Sequence, residues 1–105
     1  MTSTTAILAA ITTVRIDLDP HSADSIDTAR FAEELTKVFP SAEVEIRRNA
    51  SAETRLDARG ELDGEDLRIV ARGRSYDVLG EVDASSDAPE TIDALVEAAW
   101  GRACG

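Results

Sequence analysis

The sequence predicts an α+β fold: a two-layer α/β sandwich whose mainly antiparallel sheet of four to five strands carries two helices on one face. Three observations predict it. Several short segments alternate apolar and polar residues with a period of two, as half-buried strands do. Two segments place apolar residues three and four apart, as amphipathic helices do. The turns among the later strands are of hairpin length, which requires antiparallel pairing. The order is strand, helix, three or four strands, helix. It fills residues 1–105 as a single domain, large enough for one modest core.

Residues 1–14, MTSTTAILAAITTV, hold a short apolar run. It lacks a positively charged start and is too short to span a membrane. It is expected to open a buried strand rather than to form a cleaved signal. Val14, Ile16 and Leu18 alternate with Arg15, Asp17 and Asp19 in the first clear strand, which begins as early as Ala6 and closes at Pro20. Residues 21–25 read as a polar connection.

Residues 26–48, IDTARFAEELTKVFPSAEVEIRR, form the centre of the chain. Phe31, Leu35, Val38 and Phe39 share one helical face, with Arg30, Glu33, Glu34 and Lys37 opposite. Glu33 precedes Lys37 by four, the favourable order. Asp27 is the expected N-cap, with Ile26 stapled on Phe31. Pro40 stops the helix. A second strand follows over 42–48, with Val44 and Ile46 on one side and Glu43, Glu45 and Arg47 on the other; it is expected to pair antiparallel.

A turn over 49–52 leads to a third strand around Thr54, Leu56 and Ala58. A breaker-rich turn over 60–64 leads to a fourth around Leu67, Ile69 and Ala71. After a turn at 73–75, residues 76–82 are expected to add a short fifth strand. Residues 83–90 read as a polar linker, with Pro89 suited to a first helical turn. Ile92, Leu95, Val96, Ala99 and Trp100 then recur at helical spacing. Gly101 is the expected stop, with fraying beyond it.

The net charge of −10 argues against a general binder of nucleic acid or anionic membrane, since both surfaces are negative. It fits an acidic protein with a basic partner. Ten arginines against one lysine, with abundant Asp, Glu and Ala, suggest a GC-rich or salt-adapted source. Cys104 is the single cysteine, so no internal disulfide forms, and a reducing cytoplasm is the simplest compartment.

Charge is unevenly spread. Residues 47–74 carry seven Arg against six acids, while the remainder carries four basic and fifteen acidic residues. Arg47, Arg55, Arg59, Arg68 and Arg72 therefore mark a possible anion- or acidic-partner-binding sheet face. The alternative is cross-strand ion pairing with Glu43, Glu45 and Asp57 on a solvated face. No aromatic falls in these three strands, unlike sheets that read single-stranded nucleic acid by stacking.

Glu90, Asp93 and Glu97 on the last helix have no basic partner on that face. Such a stripe suits a basic partner, or simply solubilises the chain. Asp17, Asp19 and His21 alternate, and carboxylate with imidazole holds divalent metals. Nothing supplies the remaining ligands, so neither a metal nor a cofactor is expected. Residues 61–66 lack the ligand pattern of a calcium loop. Asn49-Ala50-Ser51 is a glycosylation sequon in form only, given no secretory signal. There is no phosphate-binding glycine loop, nucleophile elbow or paired-cysteine knuckle, and His21 has no Ser or Cys partner in a recognisable motif. Trp100 is assigned to the core. The chain reads as non-enzymatic.

Residues 35–51, LTKVFPSAEVEIRRNAS, resemble the DinI-like family of small bacterial and phage proteins: a helix ending in an aromatic-Pro pair, then a V-x-V-R type strand and small polar residues. Residues 91–100, TIDALVEAAW, resemble that family's last acidic helix with its late Trp. The similarity covers about a third of the chain, and residues 51–91 are longer than the family's second strand and loop. The resemblance implies a modulator of the SOS response whose acidic helix mimics single-stranded DNA and engages the recombinase RecA, here through Glu90, Asp93 and Glu97. The other function expected from the sequence is an interaction or assembly domain, as a homodimer or with another partner, that uses the arginine-bearing sheet face. A metal-dependent enzyme built on Asp17, Asp19 and His21 is the third.

Overall fold

The computed structural model describes residues 4–51, 53–62, 64–72, 79–80 and 88–104. The elements are α1 (Thr4–Ala10), β1 (Ile11–Leu18), α2 (Pro20–Ser25), α3 (Thr28–Val38), β2 (Glu43–Arg48), β3 (Arg55–Leu62), β4 (Glu65–Arg72), β5 (Leu79–Gly80) and α4 (Ala88–Cys104). The sheet order is β2-β1-β3-β4-β5. Three of its four pairings are antiparallel, and β1 with β2 is parallel. The fold is thus the expected α/β sandwich with a mainly antiparallel sheet. The expected turn at 73–75, most of the fifth strand and residues 83–87 of the linker expected over 83–90 lie outside the described residues; residues 88–90 open α4 instead of belonging to that linker.

One core joins sheet and helices. Val14, Ile16 and Leu18 of β1, Leu56 and Ala58 of β3 and Ile69 of β4 bury the same side. Phe31, Leu35 and Phe39 from α3 and its C-cap, and Ile92, Val96, Ala99 and Trp100 from α4, cover it. The rings of Phe31 and Trp100 meet edge to face, with centroids 5.2 Å apart. That geometry opposes the positive ring edge to the negative ring face and adds to the burial itself. Asp27 caps α3 by accepting from the Ala29 and Arg30 N–H groups, as its sequence position predicts.

Several expectations need correction. Residues 4–10 form a helix, not the start of the first strand. The run is rich in good helix formers, and helical spacing sets Ile7 and Ile11 on the same buried side. A bulge between Ile11 and Thr13 then restores phase. It lets odd-numbered Ile11 share the core side with even-numbered Val14 and Ile16. Gly60 lies opposite Ile11, and a Cβ there would run into the Ala10 carbonyl and the Ile11 backbone. So Gly60, Glu61 and Leu62 belong to β3 rather than to the turn. The reversal is tighter, with Gly64 at φ 81°, where a side chain would be strained. Thr54 lies just outside the strand.

Residues 20–25 are a helical turn, not an irregular connection. Asp19 caps it by accepting from the Ser22 N–H at 2.6 Å, and Pro20 fits its start. Strand β2 is not antiparallel to β3. It lies on the far side of β1, parallel to it, because α2 and α3 carry the chain back across the sheet between β1 and β2. Finally, α4 runs past Gly101 to Cys104. The last turn is held because Ala103 is buried and Arg102 donates to Glu34 of α3 at 2.7 Å. Glu34 is therefore not on the outer face of α3. It is buried between Arg102 and Lys37, and Lys37 pairs with Glu34 rather than with Glu33. Among the described residues, four helices, not two, build the helical layer and its margins.

Candidate interaction surface

The pleat that turns Val14, Ile16, Leu56, Ala58 and Ile69 inward turns their neighbours out. Register brings these into three rows across the sheet face opposite the described helices. One row is Glu43, Thr13, Arg59, Arg68; the next is Glu45, Arg15, Asp57, Val70; the third is Arg47, Asp17, Arg55, Arg72. Of the five arginines expected to share a face, Arg47, Arg55, Arg59 and Arg68 are thus brought together, and Arg15 joins them from β1; Arg72 holds the register position opposite Arg55, with its side chain outside those described.

Asp57 is the hub. It is 6% exposed, although it lies on the face that none of the described helices covers. Arg59 donates through Nε to its Oδ1 at 3.3 Å, and Arg68 donates through Nη2 to its Oδ2 at 3.3 Å. Arg15 Nη2 stands 3.5 Å from Oδ2. Burial pushes the Asp57 carboxyl up, but the hydrogen bonds and charge of Arg59 and Arg68 outweigh that and hold it below the ordinary value. Three cations around one anion leave a local excess of positive charge. The ion pairing expected with Glu43, Glu45 and Asp57 gathers on Asp57.

A like-charge pair stands directly opposite in the β3–β4 register: Arg59 with Arg68. Such a pair is destabilising by itself, and Asp57 screens it. Asp17, the β1 register partner of Arg55, meets Arg47 Nε at 3.8 Å. The Nε atoms of Arg15, Arg55 and Arg68 are enclosed without a hydrogen-bond partner among the described residues.

Arg15 is the member that sequence reasoning missed. Its outward phase on the first strand was legible. Its place beside Asp57 was not, because that needs β1 between β2 and β3.

The other predicted residues lie elsewhere. Glu90, Asp93 and Glu97 all fall on α4, across the sheet from the arginines. Glu97 is exposed, opposite the buried Ile92, Val96 and Trp100; the side chains of Glu90 and Asp93 lie outside those described. Asp17, Asp19 and His21 are not brought together as a ligand set. Asp17 faces Arg47, Asp19 caps α2 and accepts from the Thr54 hydroxyl at 3.3 Å, and His21 is exposed. Among the described residues, no group of three or more His, Cys, Asp or Glu side chains is placed to hold a metal ion, and no helix is long and apolar enough to cross a membrane.

Comparison with models of protein families and with curated proteins found no match to this chain.

Proposed function

We propose that this chain is a non-enzymatic interaction module that binds an acidic segment of a protein partner through the arginine-bearing face of its sheet. The observation that carries this reading is the tolerated repulsion of Arg59 against Arg68, with Arg15 beside them, around a buried Asp57. Carboxylates supplied from outside relieve that repulsion and accept forked guanidinium hydrogen bonds. Protein carboxylates suit the face better than nucleic acid. The rows hold no stacking aromatic of the kind that sheets reading single-stranded nucleic acid carry. With Cys104 the single cysteine, a reducing cytoplasm is the compartment we assign.

The test is titration with an oligoglutamate peptide at low and moderate salt. The expected result is salt-sensitive binding that weakens about tenfold or more in the Arg55→Glu/Arg72→Glu variant. Equal binding by that variant, or none by the natural sequence, overturns the reading.

A second reading takes α4 as the docking element, in the DinI manner. Exposed Glu97 opposite the buried side of the same helix supports it. Its test is co-sedimentation with RecA filaments: loss of binding on Asp93→Lys/Glu97→Lys favours it, and binding unchanged by that variant removes it.

A further inference from the structure

Strand β2 ends the sheet order, and among the described residues no strand lies beyond it. The Asn49 N–H donates to the Leu18 carbonyl at 2.7 Å, and Leu18 is the register partner of Arg48. In a parallel ladder, that phase directs the amide groups of odd-numbered β2 residues to β1. It leaves those of Val44, Ile46 and Arg48 directed to the open edge.

The charges along this edge are ordered. Glu43 and Glu45 come first, Arg47 and Arg48 last. An antiparallel copy of the same strand reverses that order, so the edge complements itself. With a two-fold axis at Ile46, Ile46 faces its own copy and Glu45 faces Arg47 on both sides of the axis. The edge-directed amides of Val44, Ile46 and Arg48 then form the bonded pairs. Shifting the axis to Glu45 sets Glu45 against itself, a like-charge pair that disfavours that register. Val44 and Ile46 are half-buried on the core side and gain cover from the added strand. Arg48, on that same side, is already engaged by Asp24 through two hydrogen bonds of 2.7 and 3.1 Å, so it brings no uncompensated charge to the seam.

We infer that two copies of this chain associate through antiparallel β2 strands, joining their sheets into one with both arginine faces on the same side. Charged edges usually block such pairing. Here the two signs are placed so that the antiparallel copy matches them. This goes beyond the proposed function, which needs only one copy. A seam of six residues per copy, Glu43–Arg48, is small for a protein interface. The dimer is therefore a weak one, dissociating in the range of roughly 10–100 µM.

Sedimentation equilibrium from about 1 µM to 1 mM reads this directly. The natural sequence is expected to pass from monomer to dimer. Arg47→Glu and Glu45→Arg each turn both seam pairs into like charges and are expected to weaken the dimer about tenfold. The double variant Glu45→Arg/Arg47→Glu restores the match and the dimer. Circular dichroism confirms that each variant folds, and either single variant carries the test if the other does not. A natural sequence that stays monomeric at the highest concentration overturns the proposal. So do folded single variants that dimerise like the natural sequence, or a folded double variant that does not recover. The Arg55→Glu/Arg72→Glu variant leaves Glu43–Arg48 unchanged, so its sedimentation reports on the dimer and its oligoglutamate binding on the arginine face, and failure of one is told apart from failure of the other.

Discussion

On the covered face of the sheet, Val14, Ile16, Leu56, Ala58 and Ile69 are at most 1% exposed. One residue along each of the same strands, the open face carries Arg15, Asp57, Arg59 and Arg68. The first face is held by apolar area removed from water, which is non-directional and large. The second is held by a few charge-assisted hydrogen bonds around one carboxylate, which are directional and modest in net terms. The difference teaches where to look for function. Substitutions on the covered face act on stability, and those on the open face act on what the chain meets.

The largest expected effect lies on the covered side. Phe31→Ala empties the contact with Trp100 and should cost about 3–5 kcal/mol in urea unfolding; a cost near zero would mean that the two helices do not share this core. Gly60→Ala drives a methyl into the Ala10–Ile11 backbone and should cost about 1–3 kcal/mol, measured the same way. Asp57→Asn comes next. It removes the shared anion from Arg15, Arg59 and Arg68 and should cost about 1–3 kcal/mol, less than Phe31→Ala because the arginines keep access to water.

Acid sharpens the same contrast. Asp19, Glu34 and Asp57 are held below their ordinary values of 3.8, 4.5 and 3.8. The Ser22 N–H lowers Asp19, and hydrogen bonds from Arg102 and then Lys37 lower Glu34. For Asp57 the arginines prevail over burial. Carboxylates depressed in the folded chain add stability that is complete above their ordinary values and is lost as pH falls through the folded ones. Stability should therefore hold from neutral pH to about pH 5.5 and decline below it. A thermal unfolding series against pH checks this, and in Asp57→Asn the decline should be shallower. Arg55→Glu has the smallest expected effect on stability, within about 0.5 kcal/mol, and serves as the control that separates folding from binding.

Much of this was legible in the sequence. Period-two alternation marked β1, β2, β3 and β4, Asp27 and Pro40 bounded α3, and apolar spacing marked α4. What was not legible depends on contacts distant in sequence. The bulge at Ile11–Thr13 hides the phase of the N-terminal run, so a helix and a strand read as one strand. The parallel place of β2 follows from the helical path between β1 and β2, whereas its alternation suits either direction of pairing. Glu34 looked like a surface residue of α3 until Arg102, 68 positions on, met it. For the same reason the arginine face was visible as a composition bias over 47–74, while Arg15 and the hub role of Asp57 needed the strand order.

The most direct test of the central claim is to record amide and arginine Nε–H resonances while adding oligoglutamate. The account predicts shifts at Arg15, Arg55, Arg59 and Arg68 and along β1, β3 and β4, with α4 around Glu97 unmoved. Shifts confined to α4, or none anywhere at saturating peptide, would contradict it.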